Sequence, residues 1–182
     1  REIKLGLLGF GNVGTGVYKI IQKNGEDISH REGFRLKIEK ILVRNLHKPR
    51  KVAIDKHILT DSVDDIINNP DIDIVAEFLG GVAPAREYIL AALEKGKTVV
   101  TANKEVIARY WSELEEAARR NRVGLYYEAS VAGGIPIIKT IGESLQANNI
   151  EEIMGIINGT TNYILTKMSE EKQDFREVLK EA

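Results

Sequence analysis

Six residues near the amino terminus, Gly9-Phe10-Gly11-Asn12-Val13-Gly14, have the types and spacing to cradle a phosphate. Glycines at i, i+2 and i+5 let the chain turn tightly, approach an anion with its backbone, and pack a helix close to the preceding strand. The helix then offers unpaired N–H groups and its positive dipole end to the negative charge. The apolar run Ile3 to Leu8 stands directly before the loop, and helical periodicity follows it. That setting suits a dinucleotide fingerprint better than a merely flexible turn. A second feature bears on which dinucleotide. Where an acidic residue would accept hydrogen bonds from a ribose 2′-OH, the second apolar run ends in Leu42-Val43-Arg44-Asn45. Arg44 offers an always-charged planar fork suited to a 2′-phosphate. Eight basic and two acidic residues occupy positions 35 to 56, a segment that otherwise reads as a solvated loop and strand edge. These residues predict NADP as cofactor, with NAD as the alternative.

Three further segments sit where an open parallel sheet collects ligands, at the carboxyl ends of its strands. In Leu79-Gly80-Gly81 the paired glycines either let the backbone approach the nicotinamide-ribose half of a cofactor or simply make a strand-to-helix turn. In Thr101-Ala102-Asn103-Lys104 a lysine emerges beside a hydroxyl and an amide, and only its position separates it from an ordinary surface charge. In Glu128-Ala129-Ser130-Val131-Ala132-Gly133-Gly134-Ile135 a carboxylate precedes a tight bend, a combination that can hold a hard cation or merely link two domains. Other chemistries lack support. The chain has no cysteine, and His30, His47 and His57 are scattered without metal-ligand spacing or a partnered nucleophile, so they read as surface residues.

The elements that must position these residues follow from the apolar pattern. Short runs at Ile3 to Leu8, Ile38 to Val43, Ile72 to Phe78, Thr98 to Thr101 and Val123 to Tyr127 read as buried parallel strands. Between them, Val13, Val17, Ile20 and Ile21 mark one amphipathic helix, and Ala85, Tyr88, Ile89, Ala92 and Leu93 another that opens at Pro84 and closes at Gly96. Asp61 or Ser62 can cap a short helix through Ile67, which Pro70 terminates. A further helix through Trp111, Leu114, Ala117 and Ala118 ends near Asn121. The alternation predicts an α/β, Rossmann-like, doubly wound parallel sheet over residues 1–134. Residues 135–182 then begin a second, α+β domain: an amphipathic stretch from Ile137 to Leu145, a strand from Ile150 to Ile157, a helix from Thr161 to Met168, and another helix starting near Asp174.

Composition bounds the function. With 26 basic and 27 acidic residues the net charge is −1, which argues against a general nucleic-acid or membrane binder. No apolar run approaches a membrane span and no signal peptide precedes the first strand, so the reading is a soluble, cytoplasmic protein.

Gly9 to Gly14, Val43-Arg44-Asn45, Thr101 to Lys104, Tyr127 to Pro136 and Gly155-Ile156-Ile157-Asn158-Gly159-Thr160-Thr161-Asn162-Tyr163-Ile164 together resemble homoserine dehydrogenase, in order along the chain. The resemblance implies NAD(P)-dependent interconversion of L-homoserine and L-aspartate 4-semialdehyde, on the route to threonine, methionine and isoleucine, by a homodimer. It implies that Lys104 is an active-site lysine beside the nicotinamide and the substrate carbonyl, where a cation stabilises alkoxide charge. It also implies that Thr101 and Asn103 lie along the cofactor cleft and that Asn158, Gly159, Thr160 and Thr161 lie near the substrate. By the same resemblance Glu128 and the carbonyls of Val131, Gly133 and Ile135 form a monovalent-cation site, with sodium as the ion. The family's principal proton-donating lysine follows the helix near Asp174, beyond residue 182, so the expectation is cofactor binding with little or no turnover. Two other readings share the nucleotide fold: a non-catalytic NADP-binding or redox-sensing module, and another NADP-dependent dehydrogenase such as an aspartate dehydrogenase.

Overall fold

The computed structural model describes all 182 residues. Residues Arg1–Lys139 form one compact unit and Thr140–Ala182 a second. The first unit is built on six parallel strands: β1 (Glu2–Leu8), β2 (Arg35–Leu42), β3 (Leu59–Thr60), β4 (Ile74–Glu77), β5 (Thr98–Thr101) and β6 (Leu125–Tyr126). Their order is β3-β2-β1-β4-β5-β6. From β1 the chain winds outward through β2 and β3, returns beside β1 as β4, and winds the other way. The reversal between β1 and β4 is the doubly wound arrangement that the alternating runs predict, and it opens a crevice at the carboxyl ends of these two strands.

Four helices cover the two faces: α1 (Asn12–Glu32), α2 (Asp64–Ile67), α3 (Ala85–Glu94) and α4 (Lys104–Asn121). On one face Leu8, Val75 and Val99 pack with Ile66, Ile89, Leu93, Val106 and Leu114. On the other, Leu5, Leu7, Ile41 and Ala76 pack with Tyr18 of α1. Successive strand residues point to opposite faces, so a strand buried on both sides is apolar throughout. Each fully buried leucine, isoleucine or valine contributes roughly 1.5–3 kcal/mol. The helix ends agree with the punctuation: Gly96 N donates to Leu93 O and Lys97 N to Ala92 O, closing α3 as a Schellman motif. The buried Lys97 Nζ staples the amino-terminal side of the sheet, donating to Asn69 O at 2.6 Å and Ile72 O at 2.8 Å.

Several expectations need correction. The buried line of α1 is Gly14 and Tyr18 with Ile21 half-buried, whereas Val13 and Ile20 are exposed. Close contact between Gly14 and the glycine loop sets the rotation of the helix and overrides the simple apolar count. Neither Asp61 nor Ser62 caps α2, whose N-cap is Val63. Instead Thr60 Oγ1 accepts from Ser62 N and donates to Asp65 Oδ2. Strand β3 is only two residues long, too short to show a period.

The segment from Ile137 breaks into α5 (Ile137–Lys139), which closes the first unit, and a π-helix over Thr140–Ser144. The second unit also holds α6 (Gly159–Glu170) and α7 (Phe175–Glu181), with Ile164 and Val178 buried. Residues 150–157 form no strand: Ile153, Met154, Ile156 and Ile157 are exposed and no neighbouring strand offers them a ladder. No helix is long and apolar enough to cross a membrane.

Candidate functional site

The glycine loop turns out of β1 with three glycines that serve three different ends. Gly9 takes φ +103°, a conformation that disfavours any side chain, and a Cβ there would lie 3.0 Å from Phe78 O. A Cβ on Gly14 would stand 2.3 Å from Gly9 O, so only glycine lets α1 start this close to the loop. Gly11 has nothing within 4 Å of where its Cβ would be, and it is the N-cap of α1 without a side-chain cap bond. The first N–H groups of a helix have no intrahelical acceptor. The start of α1 is open at Gly11, and an uncapped start of this kind is a seat that an anion can occupy.

A cleft of about 460 Å³ opens over this seat. Of the residues expected to bind cofactor, Gly9, Phe10, Gly11, Arg44 and Gly80 line it. Asn12 and Val13 are exposed on the first turn of α1 and Gly14 is buried beneath it. Lys48 and Arg50 join Arg44 in the cleft wall. Arg50 was one charge among eight in the sequence. In the fold its guanidinium lies 5.5 Å from the Phe10 ring centroid, its Nη2 donates to Asn45 O at 2.9 Å, and its buried Nε has no partner. Nothing in the spacing of residues forty positions apart could announce that contact.

Beyond the glycine loop, the ends of β4 and β5 are joined by a buried polar network. Glu77, the last residue of β4, is fully buried. Its Oε1 accepts from Leu79 N at 2.7 Å and its Oε2 from Thr101 Oγ1 at 2.6 Å. Thr101 Oγ1 accepts in turn from Asn103 N at 3.0 Å. Asn103 donates from Nδ2 to Gly81 O at 2.6 Å and caps α4 by accepting from Val106 N at 3.2 Å. The next residue is Lys104, exposed at the first position of α4. Glu77 escaped the sequence reading because one acid inside an apolar run looks like an interruption. A strand-end carboxylate two residues before Leu79 and opposite a threonine is the signal that could have found it.

At Glu128 the carboxylate accepts from Ile138 N at 2.9 Å and Lys139 N at 2.8 Å, which fixes it at the start of α5. Ile135 O accepts from Ile137 N at 2.9 Å. Val131, Gly133 and Ile135 are exposed. Nearby, the Tyr127 ring lies against Trp111, centroids 4.6 Å apart, and burial together with the negative Glu115 and Glu128 pushes its phenol above the ordinary value of 10.0. In the second unit Asn158 Oδ1 accepts from Thr161 N at 2.8 Å and Thr161 Oγ1 at 3.0 Å, capping α6.

The model of the NAD-binding domain of homoserine dehydrogenase matches residues 9–128, which span the glycine loop, Arg44, the buried network and Glu128. The chain belongs to the homoserine dehydrogenase family. A second homoserine dehydrogenase model matches residues 136–182. The homoserine dehydrogenase of Bacillus subtilis is 50% identical over 182 residues, all of this chain and 42% of its own length. A crystal structure of the enzyme from Thiobacillus denitrificans superposes with a TM-score of 0.91 at 45% identity, again over the whole chain and 42% of that protein. A hyperthermophilic archaeal homoserine dehydrogenase, solved in complex with NADPH, has a TM-score of 0.83 at 27% identity, over the whole chain and 60% of that protein. The chain thus spans about two-fifths of the curated relatives it matches.

Proposed function

We propose that this chain binds NADP(H) in the cleft over the glycine loop, as part of a protein that interconverts L-homoserine and L-aspartate 4-semialdehyde. One observation carries the cofactor reading: an uncapped helix start, open at Gly11, beside a cleft walled by Arg44, Lys48 and Arg50. The residues fit the group, since the open helix start offers N–H donors suited to a pyrophosphate and Arg44, Lys48 and Arg50 line the same cleft with positive charge suited to a 2′-phosphate. When bound, the nicotinamide supplies or accepts the hydride. The protein's part is to orient the reactants and stabilise charge on the substrate oxygen.

Lys104 is our candidate for the second task. A cation at the first position of a helix opposes the dipole, so this lysine does not serve α4. Glu128 with the carbonyls of Val131, Gly133 and Ile135 is proposed as a sodium site. An ionised carboxylate offers about four acceptor positions, so the two N–H bonds on Glu128 leave capacity for a hard cation. We take the nucleotide-binding domain to end at Gly134 and, by family resemblance, the whole protein to be a cytoplasmic homodimer. Fluorescence titration with NADPH tests the cofactor reading: saturable binding is expected, weakened in Arg44→Ala, and a chain that does not bind NADPH overturns it.

A further inference from the structure

We propose that Glu77 is a positioning residue, which through Thr101 and Asn103 holds the Gly80-Gly81 turn and Lys104 in register for the nicotinamide half of the cofactor. The inference rests on the cofactor reading above. Its ground is an acceptor–donor circuit that closes on itself: Glu77 holds Leu79 N and Thr101 Oγ1, Thr101 holds Asn103 N, and Asn103 holds Gly81 O. Two loops that leave different strands are thereby joined at both ends, one by the carboxylate and one by the amide.

The location decides what the circuit serves. Glu77 lies in register with Leu8 of β1 on one side and Thr101 of β5 on the other, so it sits at the edge of the crevice where the strand order reverses. In a doubly wound sheet the two halves of a dinucleotide lie on opposite sides of that crevice. Arg44, at the end of β2, marks the adenosine side; the turns after β4 and β5 belong to the other. A buried carboxylate without a cationic partner is costly, so its place at this strand end calls for a use beyond packing. The circuit also reassigns two side chains. Thr101 and Asn103 are buried, and the hydroxyl oxygen, the amide oxygen and the amide nitrogen each hold a bond inside the protein, so they act through position.

The chemistry of substitution is specific. Both neighbours of the carboxylate present hydrogen, so a group at residue 77 must accept on two sides. In Glu77→Gln an amide NH₂ faces either Leu79 N–H, donor against donor, or the Thr101 hydroxyl, which must then turn its own hydrogen away. Thr101→Val removes the link at constant shape, and Thr101→Ser keeps it.

The test compares NADPH with adenosine 2′,5′-bisphosphate, which carries only the adenosine half. Glu77→Gln and Thr101→Val are each expected to weaken NADPH about tenfold, the scale of one lost charge-assisted hydrogen bond, and to leave the bisphosphate within about twofold. Thr101→Ser should restore NADPH affinity, and the double variant should lose no more than either single one, because both break the same circuit. Equal weakening of both ligands, or of neither, overturns the proposal. If Glu77→Gln does not fold, the Thr101 pair decides it alone. A wild-type chain that binds neither ligand removes the cofactor reading, whereas one that binds both with unchanged variants removes only the positioning role.

Discussion

Gly11→Ala and Gly14→Ala place the same methyl group three residues apart and should fail in opposite ways. At Gly14 the new Cβ would lie 2.3 Å from Gly9 O, where real Cβ contacts are essentially never under 3.0 Å. The helix and the loop must therefore separate by about 0.7 Å, against backbone rather than a yielding side chain. Overpacking of this kind costs roughly 1–3 kcal/mol, and alanine's better helix propensity returns up to about 1 kcal/mol of it. From the middle of that range the net loss is about 1–2 kcal/mol, which corresponds to a fall in melting temperature of roughly 2–8 °C for a chain of this size. At Gly11 no atom lies within 4 Å and φ is −80°, so alanine is accommodated without strain. A gain of about 0.4–1 kcal/mol from a stiffer unfolded chain offsets the poorer N-cap, and the melting temperature should move by less than about 2 °C.

Binding separates the two still further. The Gly11 methyl group occupies the open space over the helix start, and losing one hydrogen bond to a phosphate costs about 1.5–3 kcal/mol, roughly 10- to 150-fold in affinity. Circular dichroism melts and NADPH titrations on the two variants read both quantities. A Gly11→Ala chain that melts normally and binds NADPH like the wild type would refute the anion seat. A Gly14→Ala chain as stable as the wild type would refute the packing argument.

Arg44→Ala should weaken NADPH by about 10-fold or more while moving NADH by less than about threefold, since only the former presents a 2′-phosphate; equal losses in parallel titrations would discard the specificity role. Lys97→Met keeps the aliphatic packing but strands the carbonyls of Asn69 and Ile72, so denaturation at neutral pH should show a loss of about 1–3 kcal/mol. Burial lowers the Lys97 ammonium below 10.5. Between that depressed value and 10.5 the unfolded chain holds more protons, so this residue makes stability rise with pH across the window, and Lys97→Met should abolish the rise. Sodium NMR line broadening by the wild-type chain, lost in Glu128→Gln, is the outcome expected of the cation site; no broadening in either would remove it.

β1, β2, β4 and β5 were legible because both faces of the sheet are covered there, whereas the run Val123 to Tyr127, expected as a buried strand, gives only the two-residue β6 with Tyr126 exposed. Leu5, Leu7, Leu8, Ile41, Val75 and Val99 are buried on one side or the other, and continuous apolarity is what such burial demands. The reading failed where the signal was shorter or weaker than a neighbour's constraint. β3 gives two residues and no period, and the face of α1 answers to Gly14 rather than to Val13 and Ile20. Residues 150–157 carry the composition of a strand without a partner ladder, and composition alone does not make one. A strand is a property of two segments, so a run read singly states a capacity and not a structure.

The site was legible in proportion to how local its parts are. Gly9 and Gly14 meet within six residues, with Gly11 open between them, so their spacing shows in the sequence. Arg50 meets Phe10 across forty residues, and Glu77 meets Thr101 across twenty-four, so their roles exist only once the sheet has brought them together. The same closure engages Thr101 and Asn103, whose polar atoms bond Glu77, Gly81 and Val106 in the fold. Lys104 is what remains unengaged at that end of β5, held at a helix start whose dipole favours an anion. A protein selecting only for helix stability would place aspartate or glutamate there. That a lysine stands on a platform tied down by a buried carboxylate is the strongest structural reason to look for its partner in a substrate rather than in this chain.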